Sequence, residues 1–90
     1  MERFAMLFGE VELTDEREKH ILEHHPEVRA YRKYFTEAIA QPNLIRRSKY
    51  DLKVLIFYYL VRKQYLAVVI KTNQRNFILT AYITNKLIQQ

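Results

Sequence analysis

Cysteine is absent from this chain, which excludes a disulfide scaffold, a thiolate metal site and a cysteine nucleophile. A single glycine, Gly9, leaves no glycine-rich loop to cradle the phosphates of a nucleotide cofactor or triphosphate. Ser48 is the only serine and no Gly-x-Ser-x-Gly surrounds it, so serine-hydrolase chemistry has no support. With only two prolines and one glycine, the chain does not read as a linker or a tail. The longest apolar run, Val54 to Val61, reaches about half of what a bilayer crossing needs. Met1-Glu2-Arg3-Phe4 lacks the basic start and long apolar stretch of a signal peptide, so a cytoplasmic protein without membrane contact is expected.

Acid is missing from one half of the sequence. Glu10, Glu12, Asp15, Glu16, Glu18, Glu23 and Glu27 crowd the first third, and no acid follows Asp51. Beyond it stand Lys53, Arg62, Lys63, Lys71, Arg75 and Lys86, and the net charge is +5. A basic half on a small domain suits a polyanion, either a nucleic acid or an acidic protein. The same charge also serves solubility.

What is present is enough for one core. Ninety residues, 49% of them apolar, make a single domain spanning 1–90. Phe4 to Leu13 alternates briefly and reads as an edge strand or extended arm. Thr14 is a candidate N-cap, followed by Asp15 and Glu16, for a helix reaching about His24. Pro26 opens a second helix whose stripe is Val28, Tyr31, Phe35, Ala38 and Ile39, and Pro42 stops it. Asn43 to Lys49 reads as a polar connection. Three strands follow, Leu52 to Leu60, Tyr65 to Thr72 and Phe77 to Ile83, joined by four-residue loops, with a strand or turn at Thr84 to Ile88. The expected fold is α+β: two helices on one face of an antiparallel sheet of about four strands, in the order β-α-α-β-β-β.

The loops fix an expected register. Leu60 faces Tyr65 and Thr72 faces Phe77, which aligns Tyr58 with Ala67 and Tyr82, Ile56 with Val69 and Thr80, and Val54 with Lys71 and Ile78. The reverse face then holds Leu55, Phe57, Tyr59, Leu66, Val68, Ile70, Phe77, Leu79 and Ala81, an uncharged surface for the helices to cover. Tyr58, Tyr65, Lys71, Thr80 and Tyr82 are left on the other face, free for chemistry or binding.

Three pieces in order carry a family resemblance: His20-Ile21-Leu22-Glu23-His24-His25-Pro26-Glu27, then Gln41-Pro42-Asn43 before the Tyr58-Tyr59 strand, then Val68-Val69-Ile70-Lys71 before Phe77-Ile78-Leu79-Thr80-Ala81-Tyr82. Together they span about residues 8 to 84, and the chain resembles the phage-associated branch of the barnase, EndoU, colicin and RelE-like nucleases. That resemblance implies metal-independent cleavage of RNA, often by toxins of toxin–antitoxin or phage systems. By it, His20, His25, Lys71, Thr80 and Tyr82 are the candidate catalytic residues. His24 is an additional histidine in the same corner, so the functional one stays open among the three. Glu27, Arg46, Arg47, Tyr58 and Arg62 make up the candidate RNA-contact set.

The chemistry needs a base for the 2′-hydroxyl, a cation for the phosphorane and an acid for the leaving oxygen. Histidine, lysine or arginine, and tyrosine supply these types. Plainer roles exist for each: histidines at a helix end cap carbonyls, Lys71 protects a sheet edge, tyrosines pack with a wet hydroxyl, and Arg46 and Arg47 decorate a loop. His20 and His24 lie one turn apart as metal ligands can, but no His-Glu-x-x-His pattern accompanies them, and no metal or cofactor is expected. Expected partners are RNA and an acidic antitoxin or inhibitor. The alternatives are a non-catalytic RNA- or protein-binding module of the same fold, and a homodimer that buries the tyrosine face.

Overall fold

A computed structural model of the chain describes residues 1–87. Its strands are β1 (Glu2–Met6), β2 (Gly9–Leu13), β3 (Leu44–Arg47), β4 (Val54–Val61), β5 (Gln64–Lys71) and β6 (Asn76–Thr84). Between β2 and β3 lie helix α1 (Asp15–His24), a 3₁₀ segment (Pro26–Tyr34) and helix α2 (Phe35–Ala40). The α+β class matches expectation. The sheet does not: it has six strands, in the order β1-β2-β6-β5-β4-β3, and it is mixed rather than antiparallel.

Three local causes account for the difference. The stretch read as one strand or arm folds back on itself at Leu7-Phe8, with Gly9 at φ 138°, and β1 pairs antiparallel with β2. That φ is in the region that glycine alone enters cheaply. The helices then carry the chain across the sheet, so β2 meets β6 in parallel, through Val11–Asn76 and Glu12–Phe77. Finally, Leu44–Arg47, read as a polar connection, pairs with β4 from Leu44–Tyr58 to Arg47–Leu55. Its two arginines mask a strand because an edge strand needs only one apolar flank.

The helical region follows its sequence signals. The Thr14 hydroxyl accepts from the Arg17 amide at 3.1 Å, and Asp15, Glu16 and Glu18 occupy the first turn of α1. Of the predicted stripe, Val28, Phe35, Ala38 and Ile39 are buried, and Tyr31 packs partly buried against the core. The first half of the stripe is 3₁₀ rather than α. Arg32 ties this layer together: its guanidinium donates to Glu18 at 2.9 Å and to Glu2 at 2.5 Å, and it covers the rings of Phe4 and Phe35.

The register of β4 and β5 is the expected one, from Val54–Lys71 to Leu60–Tyr65, although the turn between them is only Arg62-Lys63. The β5–β6 ladder also begins as expected, with Ala67–Tyr82 and Val69–Thr80. It then slips. Ile70 pairs with Ile78 and Lys71 with Phe77, so Leu79 is the extra residue of a β-bulge. Ile78, not Phe77 or Leu79, therefore joins the core, at 1% exposure. That core is packed between helices and sheet from Leu13, Ile21, Val28, Phe35, Ile39, Phe57, Leu66, Val68 and Ile70, and Phe4, Met6 and Val11 of the hairpin complete it. The expected turn after β6 is present as a bend at Asn85 and Lys86, and Ile88 lies outside the described residues.

Candidate active site

The sheet face away from the helices is less open than alternation suggests. Ile56, Tyr58 and Ala67 form a second cluster there, flanked by Leu44, Tyr65, Val69, Tyr82 and Leu87. Tyr58 is completely buried, and its ring meets Tyr65 edge-on at 6.2 Å. It supports this face from beneath and offers no surface to RNA. Its hydroxyl has no hydrogen-bond partner among the described residues.

Register puts Lys71, Thr80 and Tyr82 on this same face. Arg46 joins them, in a cross-strand row that runs Arg46–Ile56–Val69–Thr80. The Nε of Arg46 is buried without a hydrogen-bond partner among the described residues. Lys71 is not free, because its ammonium forms an ion pair with Asp51. That contact, followed by the Lys53 amide, holds the Asp51 carboxyl below its ordinary value. Sequence reasoning overlooked Asp51. Its signal was its place as the last acid before an entirely basic stretch.

Of the three histidines, His25 is the one whose ring approaches Tyr82, at 6.2 Å between centres. Its position follows from the chain path. β2 covers only the first two residues of β6, so the outer flank of the later β6 is left to the turn between α1 and the 3₁₀ segment. His25 is that turn. Its amide donates to the Ile21 carbonyl at 2.7 Å, and its own carbonyl accepts from the Val28 amide at 3.0 Å. Its Nδ1 lies 3.4 Å from a Glu27 carboxylate oxygen. The contact is longer than the hydrogen bonds around it, and it allows a proton on Nδ1 to face Glu27 with Nε2 left for proton transfer.

Tyr82 is half-buried. Burial first, and then the adjacent Tyr58 hydroxyl, push its phenol up to about 12, although the two hydroxyls make no hydrogen bond of ordinary geometry. Tyr82 is therefore a neutral hydroxyl near pH 7, able to donate but unsuited to act as a base. Thr80, also half-buried, stands one alternation before it.

Other candidates lie elsewhere. His20 and His24 pair with each other on exposed α1, with rings 4.1 Å apart and His24 Nδ1–H donating to the His20 carbonyl at 2.9 Å. Arg47 is exposed and spends its guanidinium on the Leu52 carbonyl. Arg62 occupies the β4–β5 turn at φ 61°, beside Tyr31 and Tyr34, at the end of β5 opposite Lys71. Among the described residues no group of three or more His, Asp or Glu side chains is placed to hold a metal ion. No helix among them is long and apolar enough to cross a membrane. Comparison of the chain with family models, with curated proteins and with solved structures returns no match.

Proposed function

We propose that this protein is a metal-independent endoribonuclease of the toxin-like kind its sequence resembles. The observation that carries this reading is the line Glu27–His25–Tyr82, set beside Lys71, Thr80 and Arg46 on one sheet face. A carboxylate lies beside an imidazole, the imidazole approaches a neutral phenol, and Lys71 and Arg46 stand farther along the same face. Those are the parts that RNA transesterification requires.

In this reading the His25 Nε2 takes the proton of the 2′-hydroxyl, whose oxygen attacks the adjacent phosphorus. The bond from phosphorus to the 5′-oxygen breaks, and that oxygen receives a proton from Tyr82. The imidazolium then returns its proton to the tyrosinate. Thr80 donates a hydrogen bond to a phosphorane oxygen, and Lys71 and Arg46, farther along the face, hold the neighbouring phosphates of the strand. The products are a 2′,3′-cyclic phosphate and a 5′-hydroxyl. An acidic inhibitor would cover the same basic face.

The experiment is incubation of the purified protein with labelled RNA in the presence of a chelator. Cleavage to cyclic-phosphate ends is expected, retained in His20→Ala and lost in His25→Ala. Retention of RNA without cleavage would replace the enzyme by a binding module. Loss of cleavage on chelation, restored by a divalent ion, would overturn the metal-independent mechanism.

A further inference from the structure

The β3–β4 connection, residues 48–53, is a fixed loop with an exposed apolar tip. The Ser48 amide donates to the Val54 carbonyl at 2.9 Å, and the Val54 amide to the Asp51 carbonyl at 2.9 Å. The Tyr50 amide donates to the Ser48 hydroxyl at 3.2 Å, and the Lys53 amide to the Asp51 carboxylate at 3.0 Å. From outside the loop, the Thr72 hydroxyl donates to the Lys53 carbonyl at 2.7 Å and Arg47 donates to the Leu52 carbonyl. A loop pinned this well has no need to display apolar side chains. Yet Tyr50 is 84% exposed and Leu52 68%.

We infer that this loop is a base-stacking subsite for single-stranded RNA, with the Tyr50 ring as its platform. The charge around the ring favours a nucleic acid. Lys49 Nζ lies 5.3 Å from the ring centre, and Arg47, Lys49 and Lys53 are all exposed on the same short stretch. The one acid among them, Asp51, is committed to the Lys71 ammonium and the Lys53 backbone amide. A flat ring among cations binds a base by its face and the neighbouring phosphates by charge, whatever the sequence. Because the loop is already fixed, little conformational freedom is lost on binding. The Asp51–Lys71 pair joins it to the face that holds Thr80 and Tyr82, so a strand seated at that face continues over Tyr50. The inference takes its ligand from the ribonuclease reading above, but not its contacts.

The test uses the full chain and a short fluorescent 2′-O-methyl oligouridylate, which binds but lacks the hydroxyl needed for cleavage. The chain contains no tryptophan, so Tyr50→Trp places a single reporter on the platform. Its emission should be quenched as the oligonucleotide saturates. Tyr50→Ala should weaken binding about 5- to 100-fold, the range expected for losing one stacked base, and Tyr50→Phe should restore it. Lys49→Ala should flatten the salt dependence, whereas Tyr50→Ala should leave the slope unchanged. An unchanged affinity in Tyr50→Ala, an unmoved indole signal in Tyr50→Trp, or equal binding of polyglutamate at this site would overturn the inference. Quenching without cleavage of natural RNA would keep the subsite and discard the nuclease. Cleavage without quenching would do the reverse.

Discussion

Asp51 and Lys71 form an ion pair that joins the β3–β4 loop to the last residue of β5. The lysine expected to serve the phosphate therefore arrives already held, its ammonium positioned by a carboxylate on a neighbouring loop. Because the Asp51 carboxyl is depressed, its contribution to stability is present above the ordinary carboxylate range and is lost as pH falls through the lowered value. Urea midpoints followed from neutrality down to about pH 3 should fall further in the wild type than in Asp51→Asn. Parallel profiles would show the pair to be idle. At neutral pH, Lys71→Ala should weaken RNA binding and lower cleavage, and move the midpoint little, since partly exposed pairs contribute little.

Tyr82 gives the opposite sign. Its folded value of about 12 lies above that of a free phenol, so its stabilising effect is intact below about pH 10. It is lost as pH rises through 12, and after allowance for its half-exposed ring the loss is about 1–2 kcal/mol. Phenolate absorbance should show a late step that Tyr82→Phe removes. The same variant should retain the fold and lose cleavage.

The bulge in β6 separates two neighbours that look alike in sequence. Ile78→Ala should destabilise by about 2–5 kcal/mol, because Ile78 is sealed in the main core. Leu79→Ala should cost clearly less, since Leu79 is only half-buried. Equal losses in denaturant unfolding would argue against the observed register.

Tyr58 offers a test of a hydroxyl that has no partner among the described residues. Tyr58→Phe should leave stability unchanged or raise it, because one buried polar group is removed and no hydrogen bond among those residues is lost. Tyr58→Ala should cost about 3–5 kcal/mol by emptying a fully buried ring site. A strongly destabilised Tyr58→Phe would reveal a partner for that oxygen.

The three histidines should separate cleanly in kinetics. His25→Ala should abolish cleavage, Glu27→Gln should lower kcat with little change in KM, and His20→Ala and His24→Ala should resemble the wild type. Activity lost in His20→Ala but kept in His25→Ala would move the proposed base to the exposed pair on α1.

Much of the sheet was legible because alternation is a strong signal wherever one face is buried. It aligned Tyr58 with Ala67 and Tyr82, and Val54 with Lys71, from sequence alone. It failed at Leu79, because a bulge inserts a residue without any mark in composition. It failed again at Leu44–Arg47, where arginines on an edge strand resemble a loop. The hairpin was hidden by its tip: Leu7 and Phe8 are exposed, yet they read as a continuation of the apolar strand. The histidine-rich corner could be named but not resolved into its members. Only the path of the turn around the flank of β6 sets His25 apart from His20 and His24.

The central position of β6 also has a bearing on how the protein is made. The last of the six described strands to leave the ribosome is inserted between β2 and β5, and among the described residues it is the link between the N-terminal hairpin and the rest of the sheet. Until it emerges, the nascent chain holds two separate half-sheets, each with an unsatisfied edge. The hairpin must wait for a partner from far along the sequence, a long loop closure of the kind that slows folding. Thr80 and Tyr82 belong to this closing strand, so the candidate site is completed in the same step as the fold. A nascent chain that stops short of β6 carries no assembled site.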